Sequence, residues 1–120
     1  MLEKFYGLSM HSTEELISHV ENYVLHTLDL PVKKTCVNTR TIHEIRTFGF
    51  RSGIPSFING TLFCPVAMLI HVAFDTEGER VKVSLNYSGL GLSMIGNIVE
   101  GFKAARIMKD ITAEIDSYMS

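Results

Sequence analysis

Several absences narrow this chain's chemistry before any pattern is read. It has no tryptophan, two cysteines and three prolines in 120 residues. Cys36 and Cys64 do not make a disulfide framework, and with no export signal in view they are expected to be small buried thiols in a reducing compartment. Eleven basic residues stand against 13 acidic ones, a formal charge of −2, and Lys33-Lys34 is the only basic doublet. Phosphate binding needs a concentrated basic surface, so nucleic acid is not an expected partner. Charges at Glu3, Lys4, Glu14 and Glu15 interrupt the first 15 residues, which lack a signal peptide's apolar run. The longest nearly apolar stretch, residues 62–74, contains Pro65 and His71 and falls far short of a membrane span. The expectation is a cytoplasmic protein without a membrane span. No triad, metal cluster or phosphate loop stands out, so neither a cofactor nor catalysis is expected.

Hydrophobic residues make up 46% and charged residues 20%, which places the chain among globular rather than disordered sequences. It contains no repeat, no low-complexity stretch and no linker. One domain over residues 1–120 is expected, long enough to bury a core without cross-links.

Residues 1–8 fit either a short strand or a docked turn. Ser12 with Glu15 three residues on has the form of a capping box and predicts a helix from Ser12 or Thr13. Leu16, Ile17, Val20, Tyr23, Val24, Thr27 and Leu28 share a face at helical spacing. Asp29-Leu30-Pro31 ends that helix, because a residue before proline is driven from helical angles. Strand patterns follow at 32–38 and 42–51. Asn59-Gly60, flanked by β-favouring residues, predicts a two-residue hairpin turn. Pro65 cannot donate to a ladder and marks a bulge or an edge. Residues 66–74 are apolar on both faces and read as a central strand, with a turn over 75–80. Val81, Val83, Leu85 and Tyr87 then alternate with Lys82, Ser84 and Asn86, giving one buried and one wet face.

A long helix is predicted from about Leu92 to Tyr118. Its apolar stripe is not straight: Ile95, Ile98, Val99 and Phe102 form one line, and Ala104, Ile107, Met108, Ile111, Ile115 and Tyr118 lie well round the cylinder. A straight helix cannot turn both lines to one flat surface. Either it bends near Gly101 or it packs against different surfaces, leaving part of a stripe for a partner. The expected fold class is α+β, an antiparallel sheet of four to five strands with an N-terminal helix and a long C-terminal helix packed on it, in the order α-β-β-β-β-α.

Each candidate site competes with a plainer reading. Gly89-Leu90-Gly91 between strand and helix suggests an anion-binding turn. It fails the dinucleotide fingerprint, since Gly96 arrives five residues after Gly91 and the strands are antiparallel; a flexible turn is the simpler account. Glu15, His19, Asn22 and His26 line one helix flank, but the two histidines are roughly 10 Å apart along the axis, which favours a solvated flank over a metal site. His71 sits mid-strand among Ala67, Leu69 and Ala73, where a histidine either finds a partner in the core or lines a pocket. Cys36 or Cys64 with His43 or His71 would make a thiol–imidazole pair, though no nucleophile motif surrounds either cysteine. Glu44 and Arg46 share a strand face with Ile42, Phe48 and Phe50. Turned inward, they enter an apolar chamber and fix a ligand's polar group. Turned outward, they are a solvated pair. Asn59-Gly60-Thr61 and Asn86-Tyr87-Ser88 match the glycosylation pattern by chance if the chain is not exported.

The element order over residues 66–118, strand, turn, strand, long helix, is similar to the helix-grip arrangement of START and Bet v 1-like domains. The similarity rests on element order and not on a motif, and an opening strand followed by two short helices is not evident. It implies a ligand chamber between sheet and C-terminal helix. Six methionines, seven phenylalanines and four tyrosines suit an adaptable apolar lining. The expected function is therefore binding of a small apolar or amphipathic molecule by His71, Glu44, Arg46, Phe48, Phe50 and Phe102. The alternative is an interaction module, with a homodimer as one form, using the C-terminal helix or an open sheet edge.

Overall fold

The computed structural model describes residues 2–48, 56–58, 61–63, 66–89 and 94–120, with side-chain surroundings for 2–46, 69–88 and 102–120. In chain order the elements are β1 (Leu2–Gly7), α1 (Thr13–Asn22) with a π-helical extension (Tyr23–Thr27), β2 (Val32–Val37), β3 (Arg40–Phe48), β4 (Ser56–Ile58), β5 (Thr61–Phe63), β6 (Val66–Glu77), β7 (Arg80–Gly89) and α2 (Met94–Met119). Five strands form an antiparallel sheet in the order β1-β7-β6-β3-β2, and β4 pairs with β5. The class is α+β, with the N-terminal and C-terminal helices packed on one side of the sheet.

Local chemistry accounts for most boundaries. The Ser12 hydroxyl accepts from the Glu15 N–H at 3.2 Å and the Glu15 carboxylate accepts from the Ser12 N–H at 3.3 Å, a complete capping box at the start of α1. After Asn22 the helix widens. Leu28 N–H donates to Tyr23 O and Leu30 N–H to Val24 O, both at 3.1 Å, and Asp29 leaves helical space at φ 54°. The α-helical face therefore stops short of Leu28: Leu16, Ile17 and Val20 are buried in α1, and Val24 alone in its extension.

The turn expected over 75–80 contracts to Gly78-Glu79. Gly78 takes φ 65°, a conformation open to glycine, and this lets Asp75, Thr76 and Glu77 stay in the ladder opposite Lys82, Val81 and Arg80. Residues 2–7 form the edge strand β1 on β7, with Leu2 opposite Leu85 and Gly7 opposite Arg80. β6 is central, between β3 and β7. Ile58 pairs with Thr61, so the strands flanking Asn59-Gly60 meet as expected; the turn itself and Pro65 lie outside the described residues.

The core lies between the sheet and the two helices. Ile45, Ile70, Val72, Phe74, Val81, Val83 and Leu85 rise from the sheet to meet Leu16, Val20 and Val24 of the first helix and Ala104, Ile107, Met108, Ile111 and Ile115 of α2. The later of the two stripes on α2 is thus buried, and of the earlier one only the exposed Phe102 is among the described side chains. Among the described residues, no helix is long and apolar enough to cross a membrane.

Candidate functional site

Strand alternation decides which side chains meet the helices. Ile45 and His43 are fully buried on β3, as are Ile70, Val72 and Phe74 on β6, so the odd positions of β3 and the even positions of β6 face the core. Glu44, Arg46 and His71 belong to the opposite, solvent-facing side. The ladder brings them together there: Glu44 is the direct cross-strand partner of His71, with Lys33 on its other flank. Arg46 Nε lies 3.6 Å from Glu44 Oε1 and His71 Nε2 3.9 Å from Glu44 Oε2. Those separations are ion-pair contacts without hydrogen-bond geometry. They sit on a wet face where such pairs contribute little.

The expected chamber between sheet and C-terminal helix therefore does not receive these three residues. Phe48 follows a register shift after Thr47 and its side chain is not among those described; Phe50 lies outside the described residues. Phe102 is 75% exposed on α2.

The sheet–helix gap changes along its length. Near the Gly78 turn it is closed, with Phe74, Val81, Ile111 and Ile115 fully buried. There Asp116 of α2 takes hydrogen bonds from Lys4 Nζ at 2.7 Å and Tyr6 Oη at 2.6 Å. Towards the other end the burial fails. Tyr87 continues the core-facing row of Val81, Val83 and Leu85, yet is 40% exposed; Leu2, beside Leu85 in the ladder, is 46% exposed. Phe102 lies roughly 20 Å along the helix from Asp116, at this same end. Tyr87 and Leu2 thus remain in contact with water on the helix-facing side of the sheet, whereas Phe102 lies on the face of α2 turned away from it, roughly 160° round from the Ala104–Ile115 stripe. Sequence alternation gave Tyr87 as buried; only the assembled sheet and helix reveal that the cover stops short of it.

Elsewhere the helices are locked together by polar aromatics. Tyr118 is stacked between His11 and His19, with ring centroids 4.2 and 3.8 Å apart. His19 Nε2 lies 2.9 Å from Glu114 Oε1, and His11 Nδ1 3.3 Å from Glu15 Oε2. Of that flank, His19 is engaged with α2, while Glu15 stays exposed and bonds to His11 and Ser12 at the start of α1. Among the described residues, no three His, Cys, Asp or Glu side chains cluster as a metal site.

His43, which the sequence offers only as a partner for a cysteine, has the most unusual setting among the described residues. It is fully buried, neither ring nitrogen has a hydrogen-bond partner, and its ring meets Phe74 edge-on at 5.3 Å. Burial holds its pKa below the ordinary histidine value; Glu21 opposes that shift and Lys34 adds to it. Its alternation with Glu44 and Arg46, in step with Ile45, was the available signal. Cys36 is exposed rather than buried. It lies 3.7 Å from the Thr41 hydroxyl, in a cleft of about 450 Å³ between α1 and the β2–β3 hairpin that also includes Thr13, Lys34 and Thr76. With both His43 nitrogens unpartnered, Cys36 and His43 do not form a thiol–imidazole pair. Cys64 lies outside the described residues.

Compared with known proteins, the chain matches no family, no curated protein and no solved structure. The chemistry of its own surfaces carries the functional argument.

Proposed function

We propose that this protein is a non-catalytic binding domain for a small apolar or amphipathic molecule, held between the sheet and α2 beside Tyr87 and Leu2. The observation that carries this reading is the exposure of Tyr87 and Leu2 on the side of the sheet that faces the helices. Apolar groups left wet at the mouth of an otherwise closed core gain free energy when a ligand removes them from water, about 25 cal/mol per Å² covered. An amphipathic ligand covers these side chains with its apolar part and leaves its polar end in solvent. Glu44, Arg46 and His71 take no part, because they lie on the other side of the sheet.

The test uses anilinonaphthalene sulfonate as a fluorescent probe and decanoate as competitor. Binding of the probe to the folded protein, displaced by decanoate and weakened by Leu2→Ser and by Tyr87→Ser, is the expected result. Absence of probe and decanoate binding at concentrations where the fold is intact sinks the reading.

A further inference from the structure

Among the described residues, the sheet ends in two open edges, β1 and β2, and they are not equivalent. β2 exposes Lys33 and Lys34, the kind of charge that keeps an edge strand from pairing with another chain. β1 has one lysine, and it is drawn away: Lys4 Nζ is tied to Asp116 at 2.7 Å on the helix side. The apolar side chains that β1 leaves in solvent are Leu2 at 46% and Phe5 at 45% exposure, beside exposed Glu3 and Gly7. We infer that β1 pairs antiparallel with β1 of a second copy of this chain, joining the two five-stranded sheets into one continuous sheet. This goes beyond the ligand-binding reading and does not depend on it.

The backbone fixes the register. Leu8 N–H donates to Glu79 O at 2.9 Å, so even-numbered residues of β1 turn their N–H and C=O groups to β7. Alternation then turns those of Glu3, Phe5 and Gly7 to the open edge. A two-fold axis through Phe5 engages all three: Glu3 pairs with the second copy's Gly7, Phe5 with its Phe5, and Gly7 with its Glu3. Slipping the strands two residues one way sets Lys4 against Lys4, and slipping them the other way sets Tyr6 against Tyr6. Each slip leaves one outward residue unpaired.

Charge complementarity supports the same register. Arg80 is the ladder partner of Gly7, and its guanidinium carbon lies 4.2 Å from the centre of the Phe5 ring. Nothing lies within 4 Å of a Cβ placed on Gly7. The second copy's Glu3 therefore approaches Arg80 across an open glycine, and the symmetry gives this ion pair twice. Phe5 meets Phe5 at the axis, where aromatic cross-strand pairs are favourable.

Sedimentation velocity across a concentration series tests this on the intact chain. Wild type is expected to move from the 13.4 kDa chain mass to twice that mass as concentration rises. Phe5→Pro removes an outward N–H that the β1–β7 ladder does not use and is expected to leave a monomer at every concentration. Glu3→Lys and Arg80→Glu are each expected to weaken dimerisation roughly tenfold, the effect of losing two exposed ion pairs, and the double exchange to restore it. Should Phe5→Pro fail to fold, the charge exchange decides alone. A wild type that stays monomeric throughout overturns the inference. So does a dimer that Glu3→Lys leaves unchanged, since its interface then lies elsewhere.

Discussion

Lys4 on the edge strand and Asp116 near the end of α2, 112 positions apart, meet at 2.7 Å. Tyr6 adds a second hydrogen bond to the same carboxylate, so one acidic side chain holds the last turns of α2 to β1. The hydrogen bond from Lys4, then that from Tyr6, lowers the Asp116 pKa below its ordinary 3.8. A carboxylate with a lowered folded-state pKa stabilises the fold above the unfolded value, and the contribution is lost as pH falls through the folded one. Asp116→Asn is expected to cost about 1 kcal/mol at pH 7, since both partners are partly exposed. Urea denaturation at pH 7 and near pH 3 checks this: the gap between wild type and variant should close in acid. A gap of equal size at both pH values contradicts the assignment.

His43 makes stability depend on pH in the same direction, in a higher pH window. Its folded-state pKa lies below the ordinary 6.5, chiefly through burial, and nothing in the described surroundings accepts a proton from it. The fold keeps its full stability above that value and loses it as pH falls towards the lowered one, by about 1.4 kcal/mol per unit of separation. His43→Leu removes both the titration and two unpaired buried nitrogens. The variant is expected to equal or exceed wild type at pH 7 and to lose less stability between pH 7 and pH 5. The other histidines are common to both proteins, so the difference reports on His43. Parallel pH profiles would show that its burial is not what acid opposes.

Glu44 offers a contrast. Its contacts with Arg46 and His71 are long and solvent-facing, so Glu44→Ala is expected to change stability by less than about 0.5 kcal/mol. It is also expected to leave anilinonaphthalene sulfonate binding unchanged. A clear loss of probe affinity would return this face to the binding site.

The difference between these sites explains what the sequence made legible. The capping box at Ser12, the alternation of β7 and the central position of β6 are local patterns, and each appears in the structure. The faces of β3 were less legible, because Phe48 and Phe50 weighted the Ile42 side while Ile45 and His43 occupy the core. The pairing of Glu44 with His71 depends on the long-range register of β3 with β6, which no local pattern encodes. Exposure of Tyr87 was hidden for a related reason: alternation assigns a residue to a face but does not say how far along that face the helix extends.

That limit leads to a prediction about α2 itself. Ile111 is fully buried against the sheet, whereas Phe102 of the same helix is 75% exposed. Ile111→Ala removes packed methyl groups and leaves a void in the closed part of the gap, a loss expected to reach about 2–4 kcal/mol. Phe102→Ser removes a side chain already in water and is expected to change stability by less than about 0.5 kcal/mol. Because Phe102 lies on the far side of α2 from the sheet, Phe102→Ser is also expected to leave the affinity for anilinonaphthalene sulfonate unchanged, and a clear loss of affinity would move the binding surface out of the gap. Equal destabilisation by the two variants would mean that Phe102 packs on the protein after all.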